Sequence, residues 1–214
     1  MPIPEPPVRI KAANILSIDA GGGYSLGWKN YGVKEANGIS PVFGVSVGHF
    51  FSKKIAVVIG IQYNSLTKLK TPYSNVTATY DFGVQANGTT VLPTTIHYVA
   101  APLTLRYYFD DNNALCFGGS VLYLINTTSK VTTFSQYELS PSSSQTKSSM
   151  GYTQGFSNID IQARIAYRRR IYKAFALTAE GYFGLLDDEN AFFADNTFKR
   201  NSGFRLILSW DLIK

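Results

Sequence analysis

From Leu16 to Trp28 the even-numbered residues Leu16, Ile18, Ala20, Gly22, Tyr24, Leu26 and Trp28 are apolar or glycine, and those between them are Ser17, Asp19, Gly21, Gly23, Ser25 and Gly27. A period of two marks a β-strand with unlike faces. The same period returns down most of the chain, so the fold must give a home to many long apolar faces at once. A water-soluble sandwich hides such faces in a core, whereas a membrane barrel turns them to lipid and keeps the polar faces inside.

The alternation predicts about eight strands, over residues 14–28, 39–51, 55–67, 95–109, 114–126, 157–168, 172–185 and 200–213, in one domain spanning 14–214 after a Pro-rich, extended lead-in over 1–13. The connections alternate in length. They are short at Ser52-Lys53-Lys54, Asp110-Asp111-Asn112-Asn113 and Arg168-Arg169-Arg170, and long over 29–38, 68–94, 127–156 and 186–199. Part of the second long stretch, Val76 to Val84, has strand character and would extend its hairpin beyond a membrane. Up-and-down outer-membrane barrels have short periplasmic turns and long external loops. The expected fold is a closed antiparallel transmembrane β-barrel with both termini periplasmic. An exported barrel needs a signal segment, and Met1-Pro2-Ile3-Pro4 is not one, so a cleaved leader is expected.

Composition narrows this further. Charged residues make up 16% and aromatic residues 14% of the chain, which suits interfacial girdles better than a solvated surface. The net charge is +6, but the basic residues are scattered over turns and do not form the stripe that nucleic-acid binding needs. Lipid headgroups and lipopolysaccharide are the expected contacts, and no nucleic acid. A single cysteine, Cys116, excludes an internal disulfide and argues against thiolate zinc, and no cofactor or metal motif is present.

The alternate face carries Asp19, Arg106, Asp160, Arg164, Glu180, Arg205 and Asp211 together with Gly21, Gly23, Gly44, Gly48, Gly60 and Gly118. A few long charged side chains, with glycine making room, describe a crowded lumen, and eight strands enclose only enough space for side chains. An ion-pair network filling the lumen is therefore expected, with Arg164 and Glu180 of one hairpin as its leading pair. Tyr24, Trp28, Tyr63, Phe109, Tyr123, Tyr167, Phe175 and Trp210 lie near strand ends and are expected to form the girdles. The last strand alternates large apolar residues through Trp210 and Leu212 but ends in Lys214, a partial match to the terminal assembly signal of such barrels.

Ile96-His97-Tyr98-Val99-Ala100-Ala101-Pro102-Leu103-Thr104-Leu105-Arg106-Tyr107-Tyr108-Phe109, followed by Leu115-Cys116-Phe117-Gly118-Gly119-Ser120, resembles the Y-x-x-x-P-L-x-L-(K/R)-Y-Y strand and Gly-rich next strand of the PorT-like outer-membrane β-barrel family of Bacteroidetes. Gly23-Tyr24-Ser25 and Gly60-Ile61-Gln62-Tyr63-Asn64-Ser65 are similar to it as well. The resemblance implies an outer-membrane barrel of a Gram-negative bacterium, with a place in an envelope or secretion complex.

The candidates for chemistry are few. His49 and His97 are the only histidines, both at outward parity, and Ser65 shares that parity without an aligned acid. Four readings remain open: a non-enzymatic barrel whose loop aromatics Tyr73, Tyr80, Phe82, Phe134 and Tyr137 contact a partner or cap the mouth; a lipid A hydrolase or acyltransferase type of enzyme using His97; a soluble lipocalin-like barrel with its apolar face inward; and a narrow channel whose conductance Arg164 and Glu180 would set. The first is the expectation, with no catalytic residue.

Overall fold

The structure, a computed structural model, describes residues 14–27, 37–67, 75–81, 85–137, 140–150, 158–186 and 201–213. All of its elements are strands: β1 (Asn14–Gly27), β2 (Gly38–Phe50), β3 (Ile55–Thr67), β4 (Asn75–Asp81), β5 (Gln85–Tyr108), β6 (Asn113–Tyr137), β7 (Ser140–Met150), β8 (Ile159–Tyr172), β9 (Phe175–Gly184) and β10 (Asn201–Ile213). Eight of them close a barrel in the order β1-β2-β3-β5-β6-β8-β9-β10, and β10 returns to pair antiparallel with β1. Closure satisfies every backbone edge in the wall, as a sheet in lipid must.

The strand parities sort the side chains as the alternation requires. Phe43, Val45, Val47, Ile59, Ile61, Leu103, Leu105, Phe117, Val121, Ile165, Leu206 and Leu208 face outward, with Ile61 as much as 64% exposed. The opposite face holds Arg106, Gln162, Arg164, Glu180 and Arg205, all buried. An apolar surface wrapped round a charged interior excludes the lipocalin-like arrangement, whose faces are reversed.

The three short turns lie at the end that carries both termini. At Phe50–Ile55 the Ser52 hydroxyl accepts hydrogen bonds from the Lys54 and Ile55 amides at 3.2 and 3.0 Å. At Tyr108–Asn113 the Asp110 carboxylate accepts from the Asn112 and Asn113 amides, each at 2.8 Å, an Asx turn. The β8–β9 turn is only Lys173-Ala174, and Lys173 takes a φ of 38°.

Two features depart from the sequence expectation. The Arg168-Arg169-Arg170 triplet is strand and not turn, because β8 runs on to Tyr172. Stretches expected as loops are strand as well: β5 begins at Gln85, β6 continues to Tyr137, and β7 flanks β6. β4, over Asn75–Asp81, falls largely within the Val76 to Val84 segment expected to extend its hairpin. Register shifts in the β5–β6 pairing between Pro93 and Thr95 and between His97 and Tyr98 mark where the barrel wall gives way to this extension. Proline has no N–H for the ladder and collects at such irregularities. The lead-in over 1–13 lies outside the described residues.

Candidate functional site

Two regions merit the name of a site: the lumen and the sheet that rises from it. In the lumen, adjacent strands present equal parities to one interior, so register alone brings charges together. Arg205 on β10 is opposite Glu180 on β9, which lies beside Ala166 on β8, one inward position from Arg164. Glu180 Oε1 accepts from Arg164 Nη2 at 2.7 Å and lies 3.6 Å from Arg205 Nη1. Arg164 also donates to Gln62 Oε1 across the barrel at 3.2 Å. Arg205, 2% exposed, stacks its guanidinium 3.9 Å from the centroid of the Tyr182 ring and reaches Ser40 Oγ with Nε at 3.3 Å.

A second group sits nearer the short turns. Arg168 holds Asp211 through Nη2 at 2.7 and 2.9 Å and donates Nη1 to Ser209 Oγ at 2.8 Å, while Ser17 donates to the same carboxylate at 2.8 Å. Asp19 accepts from Ser46 at 2.9 Å. Asp160 is buried and bonded to Gln162 Nε2 at 3.3 Å, and among the described residues no cation pairs with it. All seven charged residues expected in the lumen face it. Arg168 is the one sequence reasoning missed, although its parity continues Asp160, Gln162, Arg164 and Ala166.

Glycine shapes the space for these groups. A Cβ at Gly44 would come 2.7 Å from Gln62 Cγ, and one at Gly23 would come 2.8 Å from Arg205 Cγ. Apolar clusters flank the charged layer. Leu66, Ile96, Tyr98, Ala100, Leu122 and Leu124 pack toward the long connections, and Ile15, Ala56 and Val58 with Phe50 and Tyr108 pack toward the short turns.

On the outer surface Tyr63, Phe109, Tyr123, Tyr167, Phe175 and Trp210 are exposed and Tyr24 is half-buried. Phe109 stacks on Tyr167 and Phe175 on Trp210, with centroids 6.3 and 6.1 Å apart. Trp28 lies outside the described residues. His49 bonds Asn14 Oδ1 at 3.0 Å. His97 Nδ1 bonds the Tyr63 hydroxyl and stands opposite Ser65 in register. Ser65, expected on an outward face, is buried. The outer half-site therefore offers a histidine and a phenol, without a carboxylate among their described hydrogen bonds.

Above this rim β5 and β6 stay paired from Gln85↔Tyr137 inward. With β4 and β7 they form a four-stranded sheet in the order β4-β5-β6-β7. Tyr80 lies on β4, and Phe134 and Tyr137 on β6; Tyr73 and Phe82 fall outside the described residues.

No protein-family model matches the chain, and no curated protein sequence matches it. Among solved structures it is similar to Neisserial surface protein A, at 11% identity, a TM-score of 0.51, and coverage of 92% of this chain and 97% of that one. Ail, the attachment invasion locus protein of Yersinia pestis, gives 11% identity, a TM-score of 0.42, and coverage of 94% and 99%. The outer-membrane protease OmpT of Escherichia coli gives 8%, 0.29, and coverage of 94% and 96%. The closed, charge-filled, lipid-facing architecture described above is thus the eight-stranded outer-membrane β-barrel fold.

Proposed function

We propose that this chain is an integral outer-membrane protein of a Gram-negative bacterium that works as a docking protein and not as an enzyme, with its termini in the periplasm and its four-stranded sheet outside the cell. The observation that carries this reading is the length of β5 and β6, 24 and 25 residues, where about 9–11 suffice to cross a bilayer. The surplus builds a sheet whose outer strands, β4 and β7, each pair on one side only among the described residues. Such edges offer a row of N–H and C=O groups to an extended segment of another chain.

The belt of outward Val, Ile, Leu and Phe contacts lipid, and the stacked aromatic pairs sit at the headgroup level, with lipopolysaccharide as the outer-leaflet neighbour. The PorT-like resemblance supports a partner within an envelope or secretion complex. A lipid-modifying role rests on His97 alone, with Ser65 buried.

The test is photo-crosslinking in intact cells. A crosslinker at Ser143 on β7 should yield one stoichiometric partner, lost when the β6–β7 extension is shortened while the barrel still folds. A crosslinker at Asn112 in the opposite turn should yield none of it. The absence of any partner at Ser143 would sink the docking role, and altered lipid A in an H97A strain would favour the enzyme.

A further inference from the structure

The charged layer borders a cavity of about 50 Å³ lined by Asp19, Gln62, Arg106, Cys116, Arg164 and Glu180 among others. Glu180 is already engaged by two arginines. Asp19 and Arg106 are not joined: each is at least nine-tenths buried, Asp19 Oδ1 has no hydrogen-bond partner, and neither has Arg106 Nη1. One unsatisfied acceptor and two unsatisfied donors, Arg106 Nη1 and Arg164 Nε, thus belong to residues that line the same small space. Buried groups in this condition are destabilising, more so when charged, so a ligand that satisfies them stabilises the barrel.

The chemistry of that ligand is narrow. An anion would meet Asp19 and a cation would meet Arg106, so the occupant is neutral. It must accept from a guanidinium and donate to a carboxylate. The volume excludes organic molecules, which occupy pockets of about 300 Å³ and more, whereas a water needs roughly 10–15 Å³ of such space.

We propose that this cavity is a structural water site, in which ordered water bridges Asp19 to Arg106 and completes the ion-pair network. Apolar clusters lie toward both ends of the lumen, at Leu66-Tyr98-Leu122 and at Ile15-Val58-Tyr108, and they slow the exchange of this water with the outside. On this reading the site is a chamber bounded toward both ends of the lumen and not a segment of a conduit.

The experiment is nuclear magnetic resonance on the whole barrel in detergent micelles, labelled with 15N-arginine, with Arg106 assigned through R106K. Arg106 should show cross-relaxation to long-lived water, and Arg168, whose guanidinium is taken up by Asp211 and Ser209, should show none. A dry Arg106 would overturn the proposal, whatever the variants do. Ala166 also lines the cavity, so Ala166→Val, which adds two methyl groups there, should abolish the water signal and lower the urea midpoint. An A166V barrel as stable as the parent would also overturn it. The unmodified Cys116 thiol supplies a check on closure: it should resist small thiol reagents in the folded barrel and react once the barrel is unfolded. Rapid labelling in the folded state would contradict the bounded chamber.

Discussion

Arg205 and Tyr182 hold each other from neighbouring strands: the guanidinium lies 3.9 Å from the ring centroid, and the ring's hydroxyl shares a 2.8 Å hydrogen bond with Ser25. The pair spans three strands, β1, β9 and β10, at the seam where the barrel closes. Tyr182→Phe should keep the stacking and lose one hydrogen bond, costing about 1 kcal/mol. Tyr182→Leu should lose both, costing about 2–3 kcal/mol. Urea-induced unfolding from micelles, read by tryptophan fluorescence, would order the two variants.

Arg168 and Arg169 are sequence neighbours with opposite fates. Arg168 is buried and bidentate to Asp211, whereas Arg169 is exposed. Arg168→Met leaves the largely buried Asp211 carboxylate without its cation and should cost about 3 kcal/mol. Arg169→Met should stay within about 0.5 kcal/mol of the parent. Equal effects in the same unfolding assay would show that β8 does not extend past Tyr167 as described.

Glu180 takes both Arg164 and Arg205 on one oxygen. Glu180→Gln should therefore destabilise more than Arg164→Met, because it strands two buried cations instead of one anion that retains a second arginine. Loss of the folded-form mobility shift on unheated gels at a lower temperature for E180Q than for R164M would agree. The reverse order would contradict the network as drawn.

Asp110 lies in the exposed turn between β5 and β6, outside the membrane. Its carboxylate is held below the usual range, first by the side-chain hydrogen bond from Asn113 and then by the Asn112 amide. A carboxylate with a depressed folded pKa contributes stability that is present above its unfolded pKa and disappears as pH falls through the folded one. Amide signals of Asn112 and Asn113 should hold their shifts from neutral pH down through the ordinary Asp range and move only below it. In Asn113→Ala the transition should begin at higher pH.

Gly44 faces Gln62 with no room for a methyl group. Gly44→Ala should cost about 1–3 kcal/mol by overpacking, while Gly22→Ala, whose added carbon would meet nothing closer than 3.8 Å, should be tolerated. Refolding yields of the two proteins, measured side by side, give the comparison.

The wall of the barrel was legible because its physics is local. Ile59-Gly60-Ile61-Gln62 states its faces in four residues, and the parity that buries Arg164 and Glu180 follows from the same count. Arg168 was hidden by composition, since three consecutive arginines read as a solvated turn, and only the continuing parity from Asp160 marks it as interior. The rising sheet was legible only in part. The alternation of Val76, Ala78 and Tyr80 with Thr77 and Thr79 marks β4, but the Ser-rich β7 has no apolar face to alternate, so backbone pairing and not side-chain patterning defines it. Ser65 shows the limit of parity itself, which gives direction but not burial.

The pairing of the first strand with the last has a consequence for biogenesis. Arg205 and Asp211 arrive on the final strand, and until they do Arg168 lacks its carboxylate and Glu180 one of its two cations. Before β10 joins β1, the interior therefore carries charges without their partners as well as an open seam. The lumen works as a closure check: Arg168 and Glu180 find their full set of partners only when the last strand is in place.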